Sequence, residues 1–172
     1  MERTSFAEMQ CCLARGLEMI GDWWSPLIIR DLFLNVRRFD EIVEDLGISR
    51  NLLTRRLKFL VKKGVVERRV YQGAPVRYEY RLTEAGLDLV PVVLALTSWG
   101  ERWARPKEGS PVLFRHQRCG QLFQPQVSCS ACGEAVKAKD VIVIGGPGGV
   151  AKAGTRLIAK RLKAGPISGA LV

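Results

Sequence analysis

The chain has 172 residues, 47% of them hydrophobic, which suffices for one core of ordinary size and a small appendage rather than two full domains. Its net charge of +10, from 27 basic against 17 acidic residues, suits a polyanionic partner, nucleic acid first and an anionic membrane surface second. The longest apolar run, Leu87 to Leu96, contains an Asp and a Pro and falls short of the ~18 residues of a membrane helix. The start, Met1-Glu2-Arg3-Thr4-Ser5, also lacks the apolar centre of a secretory leader.

Leu13, Leu17 and Ile20 stand at helical spacing and predict an amphipathic helix over residues 11–20, ended by Gly21-Asp22, which also start the next helix. A second, mostly buried helix is predicted over residues 23–34 from Trp24, Leu27, Ile28, Leu32 and Phe33, with Pro26 in its first turn. Phe39, Ile42, Val43 and Leu46 predict a third helix that Gly47 stops. Ser49 is placed to cap a fourth, on which Leu53, Leu57 and Leu60 form the core stripe.

From Val65 the period changes to two, which predicts a β-hairpin through Leu82 with a turn of about four residues, Gln72-Gly73-Ala74-Pro75. Thr83 opens a further helical stretch that runs to Trp103, with Pro91 as a mild break. Its apolar surface exceeds the needs of one small domain, and together with the first helix it predicts a dimer interface. Arg105-Pro106-Lys107-Glu108-Gly109-Ser110-Pro111 reads as a linker. Beyond the cysteine-rich stretch, Gly145-Gly146-Pro147-Gly148-Gly149 and a tail with five basic and no acidic residues read as flexible, with a marginal helix over residues 155–164.

A polar turn feeding a basic helix, followed by a hairpin, is the grammar of a winged helix-turn-helix. From Arg50 to Arg69 eight Arg or Lys face the single Glu67. Arg50 and Arg55 suit bidentate contacts to guanine, Asn51 to adenine, and Thr54 a thymine methyl or a phosphate. Ser49, Lys58 and Arg38 complete the set around the turn, and Arg77 and Tyr78 of the wing would lie by the adjacent backbone or minor groove. A cationic helix alone is more often a solvated face; the turn before it and the hairpin after it favour DNA.

Cys11-Cys12-Leu13-Ala14-Arg15-Gly16-Leu17-Glu18-Met19-Ile20-Gly21-Asp22-Trp23-Trp24, Arg37-Arg38-Phe39-Asp40-Glu41-Ile42, Leu53-Thr54-Arg55-Arg56-Leu57 and Tyr78-Glu79-Tyr80-Arg81-Leu82-Thr83-Glu84-Ala85-Gly86 together resemble the HxlR-type winged-helix transcription regulators, related in architecture to MarR-like repressors. The resemblance covers about residues 11–103. It implies a homodimer on a pseudo-palindromic double-stranded operator, most simply as a repressor. Where the family has a Cys-Pro pair this chain has Cys11-Cys12, so Cys11 stands at the position of the cysteine that senses oxidants or electrophiles in some members.

Both cysteines lie at a helix start near Arg15, where dipole and cation favour thiolate; core filling is the alternative. The other three belong to His116-x2-Cys119, nine residues, and Cys129-x2-Cys132, the ligand spacing of a closed, structural zinc site. Gly120 and Gly133 follow each pair and would let backbone amides turn towards the sulfurs. Reduced surface cysteines beside an incidental histidine are the alternative. Trp23, Trp24, Trp99 and Trp103 read chiefly as core, with an effector pocket between the terminal helices as the other reading.

These readings predict a mainly α fold with a small β-hairpin wing (α+β): a winged helix-turn-helix for DNA binding and dimerisation over residues 1–104, a linker over 105–115, a small Cys/His zinc module over 116–140 and a basic Gly-rich tail over 141–172. The expected function is a cytoplasmic, dimeric, sequence-specific regulator with no membrane partner, responsive to thiol oxidation, electrophiles or a small ligand. A zinc-ribbon RNA-binding or ribosome-associated protein is the alternative, favoured by the cysteine module and basic tail. No Ser-His, Walker or Rossmann signature supports an enzyme.

Overall fold

The computed structural model describes residues 5–168. The leader reading of the first residues and the end of the basic tail lie outside that range. The order is α1 (Cys12–Ile20), α2 (Trp24–Phe33), α3 (Phe39–Leu46), α4 (Arg50–Lys62), β1 (Val66–Gly73), β2 (Val76–Leu82), α5 (Glu84–Asp88) and α6 (Val90–Trp103). Short strands β3 (Phe114–Arg115), β4 (Leu122–Phe123) and β5 (Ile142–Val143) follow, then α7 (Arg156–Ala164) and β6 (Ile167–Ser168).

The core lies where α2, α3, α4, the root of the hairpin and the start of α6 meet. Ile28, Ile29 and Leu32 of α2 pack with Ile42 of α3 and with Leu53, Leu57 and Leu60 of α4. Ile48, Val65, Val66 and Val90 complete the buried set, and Trp24, Phe39 and Leu82 lean against it. Each fully buried Leu or Ile contributes about 1.5–3 kcal/mol relative to exposure. The leucine stripe read from α4 is therefore the central ridge of the domain.

Helix ends follow their local chemistry. Asp22 Oδ1 accepts from the backbone amides of Trp24 (3.1 Å) and Ser25 (3.3 Å), which fixes the start of α2. Gly47 ends α3 in the left-handed region (φ 60°), and the Ser49 hydroxyl accepts from Leu52 N at 3.3 Å to begin α4. The turn between the two helices thus depends on one residue free to take positive φ and one able to cap.

Two expectations in this region change. The hairpin turn is two residues, Ala74-Pro75, not four, because Gln72 pairs with Arg77 and Gly73 with Val76 after a bulge that leaves Tyr71 unpaired. The single helical stretch after Thr83 is two helices, α5 and α6, that meet at Leu89. Pro91 has no amide to donate and its ring crowds the preceding turn, so the helix restarts with the proline in its first turn rather than bending through it.

Thr83 caps α5, accepting from Gly86 N at 3.2 Å while its hydroxyl donates to Gly64 O at 2.6 Å. Gly86 is buried against the hairpin root, where an added Cβ would stand 2.2 Å from Val65 O. The wing is thereby fastened to α5 at one crossing. On the other side, residues 37–38 add a short strand, with Tyr80 N donating to Arg37 O at 2.9 Å and Arg38 bridging to Glu79.

The tail differs from the flexible segment expected. The predicted helix is present as α7, and β6 pairs antiparallel with β5 through Ile142–Ser168 and Val143–Ile167. Ala159 is buried, and Gln10 N donates to Ala153 O at 3.0 Å, so the stretch before α7 crosses the start of α1. Lone apolar residues spaced among lysines gave no sign of this return to the N-terminus. Among the described residues no helix is long and apolar enough to cross a membrane.

Candidate nucleic-acid interface

With Leu53, Leu57 and Leu60 buried, the helical period turns Arg50, Asn51, Arg55 and Lys58 outward on α4. Asn51, Arg55 and Lys58 make no hydrogen bond or ion pair among the described residues, as does Arg77 at the wing, and all four are exposed. Three basic groups and one amide are therefore available to a polyanion without breaking an internal contact. Arg50 is committed in part: its Nη2 lies 2.7 Å from Asp40 Oδ1 and its guanidinium sits over Phe39. Thr54 is half-buried and donates its hydroxyl to Arg50 O at 2.8 Å, so it is partly spent on the helix itself.

Arg38 also has partners within the chain. Its backbone amide donates to Glu41 Oε2 at 3.0 Å at the start of α3, and its guanidinium lies over the Tyr71 ring. Tyr78 is covered in the same way by Arg68, 4.1 Å from guanidinium carbon to ring centre. On the wing Arg69 pairs with Glu67 and Arg81 with Glu79, each at 2.6 Å. Positive potential on the wing is thus concentrated in Arg77 and Arg68 rather than spread over every arginine.

Two partnerships at this face had no signal in the sequence. Asp22, which begins α2, pairs with Arg56 Nε on α4, and Gly21 packs closely on Phe59, so α4 is held against the α1–α2 corner by an ion pair and a ring contact. Asp40 screens Arg50 from α3. Neither spacing, 34 and 10 residues, corresponds to any helical or strand period. Asp31 is 1% exposed and takes Arg30 at 2.6 Å, while Arg30 also reaches Asp45 at 2.8 Å. Burial pushes the Asp31 carboxyl up from the ordinary aspartate value, and Arg30 opposes that shift only in part.

The apolar surface expected for a dimer is present. Val92, Leu96, Trp99 and Trp103 stand exposed along one stripe of α6, and Leu13 is 73% exposed on α1. This corrects the reading of the tryptophans as core: of the four, Trp24 packs on the core, while Trp23, Trp99 and Trp103 are exposed among the described residues. None of the three lines the cavity between α2 and α6. That cavity, of about 350 Å³, lies between α2, α6 and the linker, bounded by Leu27, Phe33, Val93, Leu94, Thr97 and Phe114.

Cys11 precedes α1 and is half-buried; Cys12, its first residue, is exposed. Arg15, expected beside the thiols, donates its Nε to Met9 O at 2.9 Å instead. Of the four residues read as zinc ligands, His116 Nδ1 lies 3.3 Å from Cys119 Sγ, and Cys129 and Cys132 form the second pair. The amides of Cys132 and Ala131 and the Cys132 thiol lower the Cys129 pKa. Among the described residues no three His, Cys, Asp or Glu side chains converge as a metal-binding group.

A buried leucine ridge, a capped turn before it and an exposed cationic face backed by a β wing define a winged helix-turn-helix, a DNA-binding class. The HxlR-like helix-turn-helix family matches residues 19–108, and the chain belongs to that family. It is similar to the uncharacterized HTH-type transcriptional regulator Rv3095 of Mycobacterium tuberculosis (strain ATCC 25618 / H37Rv), 42% identical over 140 residues, which is 81% of this chain and 89% of the relative. It is 35% identical over 94 residues to YdeP, another uncharacterized HTH-type regulator, of Bacillus subtilis (strain 168), 54% of this chain and 73% of the relative. Among solved structures, PA1607, described as a candidate transcription factor, superposes with a TM-score of 0.70 at 37% identity, over 80% of this chain and 96% of that one. PA1374 of Pseudomonas aeruginosa, described likewise, gives 0.55 at 37% identity over 88% and 100%. The chain is an HTH-type transcriptional regulator, not an enzyme.

Proposed function

We propose that the protein acts in the cytoplasm as a homodimeric repressor that reads a pseudo-palindromic double-stranded operator. In this reading α4 lies in the major groove, with Asn51 and Arg55 on base edges, Lys58 and Ser49 on phosphates, and Arg77 on the backbone beside the wing. The observation that carries it is the unpaired, exposed face of α4 opposite a fully buried leucine stripe. The exposed stripe of α6, with α1, supports the dimer, since four large apolar side chains in line are rare on a monomer. Twofold symmetry would then place the two copies of α4 one helical turn of DNA apart.

Regulation is assigned to two places. Cys12 is exposed at the first turn of α1, where an oxidant can reach it; Cys11 is its half-covered neighbour. The cavity between α2 and α6 has the size of a small-molecule site and joins the core to the dimer helix, which suits an apolar effector.

Arg55→Ala tests the reading. Loss of a base contact is expected to weaken operator binding by about 1–3 kcal/mol while leaving random duplex binding nearly unchanged. Equal loss on both duplexes would place Arg55 on phosphate and remove the base-reading role.

A further inference from the structure

The stretch after the linker holds two loops of the same construction. In the first, His116 N donates to Gln121 O (2.9 Å) and Gly120 N donates back to His116 O (2.8 Å). In the second, Cys129 N donates to Glu134 O (2.8 Å) and Gly133 N donates back to Cys129 O (2.8 Å). Both glycines are left-handed, at φ 70° and 77°. A pair of metal-type ligands three residues apart therefore opens each loop, a glycine in the same conformation closes it, and the hydrogen bonds correspond atom for atom.

Each loop is also clamped at its base. Phe114 pairs with Phe123 and Arg115 with Leu122 below the first; Ser128 bridges Ala135 and Val136 N donates to Val127 O below the second. Only Gln124, Pro125 and Gln126 separate the two clamped units. Four chain steps from Phe123 to Val127 span at most about 14 Å, so the loops are tethered as neighbours.

Nothing in this stretch provides a core. Over residues 113–158 no described residue is buried, and only Phe114, Pro125, Cys129 and Thr155 are half-covered. Two tight turns without apolar burial cannot offset the conformational entropy of about 1–2 kcal/mol per ordered residue, so such a unit needs a staple.

We propose that His116, Cys119, Cys129 and Cys132 bind one zinc ion that joins the two loops into a structural site. One imidazole and three thiolates are a closed tetrahedral set, and three sulfur donors select zinc over harder divalent ions. On binding, the three thiols release their protons to solvent, the imidazole binds through a neutral nitrogen, and no oxidation occurs. No three of these side chains converge in the structure; they stand as two separate pairs. Bringing the pairs together requires the two loops and their side chains to approach each other across residues 124–126. The site goes beyond the DNA-binding reading and does not depend on it.

The test is zinc content of the full chain, purified reduced, reconstituted with zinc sulfate and freed of loose metal, with cobalt substitution as the spectroscopic check. We expect about one zinc per chain, and cobalt spectra with thiolate charge-transfer bands and the strong d–d absorption of a tetrahedral ion. Cys129→Ser and His116→Asn should each lose most of the metal, Cys12→Ser should retain all of it, and Cys119→His, which preserves a ligand, should retain zinc. Wild-type protein without stoichiometric zinc, a Cys129→Ser variant that keeps it, or octahedral cobalt spectra would each overturn the site. If Cys129→Ser fails to fold, His116→Asn and the wild-type cobalt spectrum decide the matter unaided.

Discussion

The winged helix and the C-terminal extension are held together in opposite ways. Between Trp24 and Val90 eleven buried apolar residues interlock from four helices and a hairpin; beyond the linker the chain buries Ala159 alone among the described residues. A helix pattern backed by a core is self-sufficient, whereas short loops and two-residue strands depend on what they are fastened to. The extension is fastened at Ala153 to Gln10 and, on our proposal, at a metal. The same contrast separates what the two regions offer: the first a basic face backed by a core, the second, on our proposal, two loops joined by a metal.

Substitutions at matched apolar residues should display the difference most strongly. Leu53→Ala removes a residue with no exposure from the centre of the domain and is expected to cost about 2–5 kcal/mol in a urea melt. Ile142→Ala, at 67% exposure in β5, should change stability by less than about 0.5 kcal/mol. Similar losses at both sites would erase the distinction.

Gly86→Ala sharpens it within the first region. Its new methyl meets a carbonyl oxygen rather than a pliable side chain, so the hairpin root must shift away from α5, at a cost of about 1–3 kcal/mol. Unchanged thermal stability would mean that the crossing is looser than drawn.

The smallest effect concerns Asp31. Its folded carboxyl holds a proton more tightly than the unfolded one, because burial outweighs Arg30. The stability this contributes is present at low pH and is lost as pH rises from the unfolded pKa through the folded one. Asp31→Asn cannot titrate, so the stability of wild type relative to the variant should decline over the range above the ordinary aspartate pKa of about 3.9. A constant difference across that range would contradict the direction.

Much of the first region was legible because its chemistry is periodic or local. The α4 stripe, the Ser49 cap, the Gly47 stop and the Thr83 start each depend on residues within a few positions of one another, and each is found where it was read. The hairpin turn was misread because one bulged residue, Tyr71, shifts the pairing without disturbing the apparent alternation. Pro91 was underestimated because a proline one residue into a helix marks a new start as readily as a kink. Asp22–Arg56 and Asp40–Arg50 were invisible because tertiary packing alone unites them.

The three outward tryptophans show a different limit. Hydrophobicity shows that a side chain favours burial, not whether this fold buries it. The candidate DNA-contacting residues are legible as a class, cationic and opposite the leucines, while the contacts that Arg38 and Tyr78 make at the turn and the wing are visible only in the fold. The His-x2-Cys and Cys-x2-Cys pairs are legible from spacing as candidate ligands, while the equivalence of the two loops required the backbone.

The central claim is most directly tested by binding of the reduced, metal-quantified protein to its own promoter fragment and to random duplex at two salt concentrations. The account predicts a preference of ~10³ or more for the promoter, retained as salt rises while both affinities fall. Equal and steeply salt-dependent binding to the two duplexes, repeated across fragments tiling the neighbouring genes, would contradict it and direct attention to RNA.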